Sequence, residues 1–243
     1  MPDERLKTYV RGLDDKMEGG IPAGHIVLVA GRAGTMKSSI AFGMLYNQAK
    51  QEGKRGIYLT LEQNRNSLVE HMVKLGFDPQ EITGSGGIIV IDMARLRKEM
   101  KEKKKEEEIN WPQSIITTVN NYKMKFGCSV FALDSLAALY SISTFKNPRS
   151  DVFMFFDKLR ELNITTLLIS EMMEPEKMVF GMYNVEEFLA DGIIHLDMER
   201  DKRNVNLFLG VVKMRKTSHD RAYYPLLISK NNFEIVASQS KPL

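Results

Sequence analysis

Apolar positions along the chain form short unbroken runs instead of alternating with polar ones. Runs of this kind are typical of strands buried on both faces of a parallel sheet. The five predicted strands are His25–Ala30, Gly56–Leu61, Gly87–Ile91, Ser129–Leu133 and Thr165–Ile169. Amphipathic stretches between them predict helices at Ser39–Lys50, Asn66–Leu75, Gln113–Phe126 and Asp151–Leu162. This alternation predicts an α/β fold with a mostly parallel, twisted sheet and helices on both of its faces.

The pattern changes from about Gly192 onward. Three strand-like runs, separated by "RDKRN" and "KNN", predict antiparallel hairpins that extend the sheet. No linker or internal repeat interrupts the chain, so residues 1–243 are predicted to form one domain. The charged stretch Arg95–Glu108 is interpreted as a solvated helical insertion, with a nucleic-acid or partner contact as the alternative.

Composition narrows the class of protein only slightly. The net charge of +3 is too small to indicate a nucleic-acid-binding protein by itself. The single cysteine, Cys128, excludes a disulfide within the chain and a cysteine-based zinc site. The N-terminal segment is charged and no long apolar run occurs, so we expect a cytoplasmic protein without a membrane span.

The segment "VLVAGRAGTMKSSIAF" carries the clearest chemical signal: a buried strand, a glycine loop, Lys-Ser and then a helix. Loops of this kind surround phosphates with backbone N–H groups, a Lys reaches the terminal phosphates, and a Ser or Thr hydroxyl binds Mg²⁺. The helix N-terminus that follows also favours an anion. The alternative is an ordinary strand-to-helix turn with an incidental lysine. We therefore predict that ATP and Mg²⁺ bind here, and the candidate nucleotide contacts are Gly34, Thr35, Met36, Lys37, Ser38 and Ser39.

Met36 departs from this pattern because glycine is expected before Lys37. Glycine adopts unusual backbone angles without strain and has no side chain to place. We expect the methionine side chain to point away from the nucleotide, so that the loop still binds it. Slow hydrolysis is the expectation for this loop.

Two acidic residues follow predicted strands at the edge where a parallel sheet binds its ligands. Glu62 is a candidate to orient or deprotonate the water that attacks the γ-phosphate. Asp134 ends the run "VFALD" and is a candidate, with Ser38, to hold Mg²⁺. A strand-ending polar residue and a helix-capping aspartate are the respective alternatives.

Taken together, these motifs resemble those of the KaiC-like ATPases of the RecA superfamily over essentially the whole chain. "GLDDKMEGGIPAGHIVLVAGRAGTMKSS" is similar to the family's opening, and "GIYLTLEQN" to its catalytic-glutamate strand. "VFALDSLAALY" is similar to its Mg²⁺ strand, and "VVKMRKTSHDRAYYPLLISKNNFEIV" to its C-terminal signature. The resemblance implies a RecA-like fold, ATP hydrolysis and a ring-shaped homo-oligomer, with a hexamer as the expected ring.

The resemblance also implies roles for particular residues. Glu62 falls on the catalytic glutamate, and Lys213 and Arg215 on a strand that reaches the γ-phosphate bound by the neighbouring subunit. Cations supplied in this way stabilise the charge that develops during hydrolysis. The further nucleotide contacts implied by the resemblance are Met214, Thr217, His219, Ser229 and Lys230.

Two departures from the family pattern limit what is expected. Gln63 stands where the family has a second acid, which again points to slow chemistry. The segment "VEEFLAD" has no hydroxyl residue, so we predict no clock-type self-phosphorylation there. The alternatives to a ring-shaped ATPase are a single-stranded-DNA-associated recombination regulator and a nucleotide sensor with little turnover.

Support for a DNA-associated role is weak. Trp111 and Tyr122 are the candidates for base stacking, and both are interpreted instead as core residues. His25, His71 and His195 have no metal-binding spacing and are predicted to be structural.

Overall fold

The computed structural model describes residues 4–84, 86–93, 109–173 and 178–236. The predicted insertion Arg95–Glu108 lies outside these residues. In the described part, the helices are α1 Lys37–Glu52, α2 Arg65–Lys74, α3 Trp111–Phe126, α4 Leu136–Ile142, α5 Pro148–Glu161 and α6 Glu186–Leu189. Two 3₁₀ turns occupy Asp14–Met17 and Pro79–Ile82.

Three short strands precede the phosphate loop: β1 Arg5–Leu6, β2 Val10–Arg11 and β3 Ile21–Pro22. The central strands are β4 Ile26–Gly31, β5 Arg55–Thr60, β6 Ile88–Asp92, β7 Cys128–Asp134 and β8 Thr165–Glu171. The C-terminal strands are β9 Gly192–Asp201, β10 Asn204–Met214, β11 Tyr223–Ser229 and β12 Asn232–Ile235.

The main sheet has the strand order β2-β12-β11-β10-β9-β4-β8-β7-β5-β6. From β9 to β6 the neighbouring strands pair in parallel, and β10 and β11 continue the sheet in antiparallel fashion. Strand β4 lies at the centre, between β8 and β9, so the loop that follows it opens at the middle of the sheet's carboxyl edge.

The sheet separates two apolar cores. Helix α1 packs on one face, where Val27 and Val29 of β4 point, and helices α3, α4 and α5 cover the other, where Ile26 and Leu28 point. Strand residues are thus buried on both sides, which explains the unbroken apolar runs of the sequence.

Helix boundaries follow local chemistry that the periodicity did not reveal. Asn110 and Asn147 cap α3 and α5, and each is followed by a proline in the first turn, so both helices begin earlier than predicted. Gly53 and Gly127 end α1 and α3 in the left-handed conformation.

The fold class predicted from the sequence is confirmed, with differences in detail. The predicted middle run of the C-terminal part is two strands, β10 and β11, because the polar segment Lys216–Ala222 turns the chain between them. Short helices α4 and α6 and strands β1 to β3 were not predicted, since so few residues leave no measurable periodicity. Among the described residues, no helix is long and apolar enough to span a membrane.

Candidate nucleotide site

The glycine that ends β4 is required by close packing. A Cβ atom on Gly31 would lie 2.3 Å from the carbonyl oxygen of Leu196 on β9 and 2.7 Å from Oγ1 of Thr35. Any side chain here would push the loop away from the sheet, because real Cβ atoms do not approach backbone oxygens so closely. Gly34 has a φ of +84°, a conformation that favours glycine.

Met36 occupies a backbone conformation that also favours glycine. Its φ of 68° and ψ of 21° lie in the left-handed region, and it immediately precedes the first residue of α1. The side chain is partly buried and packs against the core under α1. The backbone before Lys37 therefore adopts a conformation that favours glycine although the residue is methionine, and a non-glycine residue in this conformation is strained.

Lys37 is held inside the loop. Its side-chain ammonium donates a hydrogen bond to the Arg32 carbonyl oxygen at 2.7 Å, and the Thr35 hydroxyl donates to the same oxygen at 2.8 Å. Only 7% of Lys37 is exposed. Burial lowers the pKa of Lys37, and the carboxylates of Glu171, Asp134 and Glu62 oppose that shift. A desolvated ammonium of this kind interacts strongly with an anion.

Asp134 lies beside this lysine at the end of β7. The hydroxyl of the fully buried Tyr58 donates a hydrogen bond to its Oδ2 at 2.6 Å. Burial raises the pKa of Asp134, whereas hydrogen bonds from Tyr58 and from the Ser38 hydroxyl lower it. Ser38 and Asp134 thus bring a hydroxyl and a carboxylate together.

The Ser38 hydroxyl and the Asp134 carboxylate suit a magnesium ion. Magnesium prefers oxygen ligands, and a protein usually supplies only one or two of these ligands. Nearby Glu171 and Glu62 add negative charge around Lys37. No group of three or more His, Cys, Asp or Glu side chains within the described ranges forms a protein-only metal site. The arrangement therefore suits a cation whose remaining ligands are phosphate and water oxygens.

Glu62 lies just beyond β5 and is exposed. Its carboxylate accepts a hydrogen bond from the Ser135 hydroxyl, and the Leu61 N–H donates to the Asp134 carbonyl oxygen at 2.7 Å. The ends of β5 and β7 are thus joined, which fixes Glu62 near Asp134. Gln63 is also exposed, and its backbone is tied to the Thr60 hydroxyl.

Arg215 lies at the opposite edge of the sheet from the phosphate loop, that is, where the parallel strand β4 begins. Its guanidinium donates to Oδ1 of Asp191 at 2.9 Å and to the Phe188 carbonyl oxygen at 2.9 Å. Asp191 in turn accepts from the N–H of Ile26, the first residue of β4, at 3.1 Å. Because Ile26 and Gly31 are the two ends of β4, about 16 Å of strand separates Arg215's anchor from the loop.

Lys213 and Met214 are the last two residues of β10, directly before Arg215. The Lys213 ammonium donates to the carbonyl oxygens of Glu187 and Ala190 at 2.8 and 2.7 Å. Burial lowers the pKa of Lys213, and the neighbouring Arg215 lowers it further. Met214 is buried against Gly192, so its side chain is not available to a ligand.

Thr217 and His219 follow in the loop after β10, near the N-terminal segment. The Arg5 guanidinium donates to Oγ1 of Thr217 at 2.9 Å, and Nε2 of His219 is buried without a hydrogen-bond partner in the described part of the chain. Ser229 and Lys230 are separate from these residues. They form the exposed β11–β12 turn, whose next residue donates a backbone hydrogen bond to Leu75 after α2.

Apart from Ser229 and Lys230, the predicted site residues thus form two groups. Gly34 to Ser39, Glu62 and Asp134 meet at the carboxyl edge of the sheet, whereas Lys213, Arg215, Thr217 and His219 lie toward the other edge. Trp111 is 1% exposed and Tyr122 packs against the same core, as predicted. Sequence reasoning missed Tyr58, Ser135, Glu171 and Asp191, of which only Ser135, next to Asp134, carries a local signal.

Comparison with known proteins agrees with this geometry. The family described as "ATPase: KaiC" matches residues 6–240. The circadian clock protein KaiC3 of Synechocystis is 29% identical over 239 residues, which is 96% of this chain and 46% of that protein. The clock oscillator protein KaiC of Synechococcus elongatus is 25% identical over 234 residues, 95% of this chain and 44% of that protein.

A solved structure shares the fold. The crystal structure of a KaiC-like protein from Pyrococcus horikoshii aligns with a TM-score of 0.81 at 25% identity, covering 97% of this chain and 100% of that one. The chain spans about half the length of the curated relatives it matches. It has the RecA-like fold of a phosphate-loop ATPase. The chain belongs to the KaiC family of ATPases.

Proposed function

We propose that this protein is a slow, Mg²⁺-dependent ATPase that works as a ring-shaped homo-oligomer, a hexamer, with ATP bound between neighbouring subunits. The observation that carries the proposal is the separation of the two groups of site residues. One sheet edge has the phosphate loop and the acids, and the other has Lys213 and Arg215. A chain with complementary halves at opposite edges suits head-to-tail assembly, which closes into rings.

Each residue has a defined role in this proposal. The loop N–H groups and Lys37 hold the phosphates, and Ser38 and Asp134 hold Mg²⁺, which neutralises charge on the phosphates. Glu62 accepts the proton of the attacking water, with its carboxylate oriented by the Ser135 hydroxyl. Arg215 and Lys213 of the adjacent subunit stabilise negative charge on the γ-phosphoryl oxygens.

Slow turnover is the expected regime for three reasons. Met36 places a left-handed, non-glycine residue directly before Lys37, and Gln63 cannot act as a second base beside Glu62. In addition, the Lys213 ammonium already donates to two carbonyl oxygens of its own chain, so it must leave them to contact phosphate.

Mixing two inactive variants tests the shared site. Lys37→Ala removes the loop half and Arg215→Ala removes the other half. In randomly mixed rings, about a quarter of the interfaces combine an intact loop with an intact Arg215, so hydrolysis returns to about a quarter of the wild-type rate. No recovery, in mixtures that mass measurement shows to be co-assembled, would place both residues in one subunit's site.

Mass measurement in ATP and in ADP complements that experiment. A ring that forms or tightens with ATP agrees with shared sites, and a monomer in both nucleotides contradicts them. A nucleotide sensor with little turnover is favoured by Met36 and Gln63. ATP that is retained without phosphate release over many hours would establish that alternative. Phosphate release that rises with single-stranded DNA would instead support a DNA-associated function.

A further inference from the structure

A cavity of about 430 Å³ lies on the face of the sheet opposite α1. Its walls come from three places: the start of α3 with the two residues before it, the connection between α4 and α5, and the part of α5 from Asp151 to Lys158. This volume falls within the range of protein pockets that bind small molecules. The phosphate loop opens α1 on the other face, so the cavity is separate from the nucleotide site.

One side of the cavity is apolar. Trp111, Ile116 and Phe155 are buried members of the core on this face, and Phe145 packs against them. Met154 also lines the cavity but is 59% exposed. Methionine is flexible and polarizable, so it adapts readily to an aromatic or aliphatic ligand.

The other side is electropositive. Lys146 and Lys158 line the cavity, and Lys146 forms no ion pair in the part of the chain that the structure describes. Lys158 is partly neutralised by Glu161 at 2.8 Å. The Asp151 carboxylate, the acid in the lining, already accepts a hydrogen bond from the Asn147 N–H at 3.1 Å.

Helix α3 also begins at this cavity. Three residues of its first turn, Trp111, Pro112 and Gln113, line the wall. The helix has 16 residues, and a helix N-terminus carries partial positive charge. Among the described residues, two lysines and one helix N-terminus thus lie around the cavity with one acid, Asp151, which already accepts a hydrogen bond.

Two lining residues also retain unpaired polar atoms. Nε1 of Trp111 and Oγ of Ser143 are buried and have no hydrogen-bond partner within the described residues. A buried polar atom without a partner destabilises a fold, so a ligand that supplies a hydrogen bond to either atom gains binding free energy.

We propose that this cavity is a binding site for a small organic anion with an aromatic or aliphatic body. The apolar wall receives the body, and the lysine side receives the acidic group. The concave shape and volume suit a free small molecule. Ser143 caps the end of α4, and that seven-residue helix begins directly after Asp134 and Ser135. The site is thus one short helix away from the proposed magnesium ligand.

A fluorescent probe with this chemistry tests the proposal. 8-Anilinonaphthalene-1-sulfonate has an aromatic body and one acidic group, and N-phenyl-1-naphthylamine has the same body without the acid. Titrations of the full chain are made with saturating ATP and Mg²⁺, so that the sulfonate does not occupy the phosphate loop. We expect the sulfonate to bind more tightly than the amine, with an affinity that falls as salt rises.

Substitutions at three exposed residues test whether the probes bind in the cavity. Lys146→Glu should weaken the sulfonate by about fivefold and leave the amine unchanged, because it reverses a charge beside the acidic group. Met154→Asp should weaken both probes, because it removes apolar wall. Lys125→Glu, at the far end of α3, is the matched control and should leave both affinities within about twofold.

Two results would overturn the proposal. Equal sulfonate affinity in wild type and Lys146→Glu would show that the probe binds elsewhere. An equal loss in Lys146→Glu and Lys125→Glu would show a general charge effect and not a site. Neither result depends on the ATPase proposal, since nucleotide binding is measured separately in each variant.

Discussion

The two edges of the sheet hold functional side chains in opposite ways. At the carboxyl edge, Lys37 and Asp134 are buried and each is stabilised by a neutral oxygen group of its own chain. At the other edge, Arg215 is half-exposed and paired with Asp191. The buried edge is preorganised for a phosphate and a cation, whereas the exposed edge keeps a guanidinium at the surface.

This difference explains how one chain carries an incomplete site. Buried charges respond to a ligand with little rearrangement, which suits binding of nucleotide in a fixed position. A surface cation costs little to leave unpaired and can exchange an ion pair for a phosphate contact. The two halves therefore become useful together when a second copy brings its exposed edge to the buried edge of the first.

The largest effect is expected from removal of the buried cation, Lys37. Lys37→Ala should weaken ATP binding by about a thousandfold, because it leaves the terminal phosphates without their desolvated charge partner. Titration with a fluorescent ATP analogue measures the effect. Lys50→Ala, on the same helix but at its far end, is the control and should bind like wild type. Unchanged affinity in Lys37→Ala would remove the phosphate-loop assignment.

A substitution at the exposed edge should change hydrolysis and not ATP affinity. Arg215→Ala should lower hydrolysis by about a hundredfold while ATP affinity changes little, because its contact is made with charge that develops in the transition state. Arg160→Ala is the matched control, since Arg160 also lies 3.7 Å from Asp191 but is on α5. Phosphate release and nucleotide affinity are measured for both variants. Equal losses of hydrolysis would show that both arginines act only through Asp191 and the fold.

The sequence predicted the buried edge better than the exposed one. Gly31, Lys37 and Asp134 lie at fixed places relative to apolar runs, so the strand pattern alone brings them to one sheet edge. Tyr58 had no such signal, because a tyrosine inside an apolar strand has the pattern of any core residue. Its hydrogen bond to Asp134 depends on the pairing of β5 with β7, which is nonlocal.

The same limit applies to Asp191 and the short elements. Asp191 joins β4, Arg215 and Arg160 only after β9 pairs beside β4. Helix α6 is four residues long, too short for a periodic pattern, yet its carbonyl oxygens bind Lys213 and Arg215. The parallel core was therefore predictable from local runs, and the anchoring of the basic strand was not.

A smaller effect concerns stability at the buried edge. Burial raises the pKa of Asp134 above its unfolded value of 3.8, so ionised Asp134 destabilises the fold above the folded pKa. That penalty disappears as pH falls below the unfolded value. Without Mg²⁺ and nucleotide, Asp134→Asn should raise the melting temperature at pH 7 by about 3 °C.

Calorimetry at neutral and acidic pH measures this difference. The advantage of Asp134→Asn should shrink as the pH falls toward 4, and Mg²⁺ with ATP should stabilise wild type more than the variant. Asp157→Asn, an exposed change on α5, is the control and should shift the melting temperature little. A variant that melts below wild type at pH 7 without ligands would show that hydrogen bonding at Asp134 outweighs its desolvation.

The smallest expected effect is at Met36, where two variants distinguish the energy of the backbone conformation from that of side-chain packing. Glycine relieves the left-handed conformation but loses the packing of the methionine, whereas alanine loses the packing and keeps the strain. Met36→Gly should therefore be more stable than Met36→Ala by about 1 kcal/mol in urea unfolding. Hydrolysis by Met36→Gly should be at least as fast as that of wild type, because glycine adopts the left-handed conformation before Lys37 without strain. If the two variants were equally stable, the residue before Lys37 would not be held in the left-handed region, and the loop would owe its shape to its contacts with Arg32 and Leu196 alone.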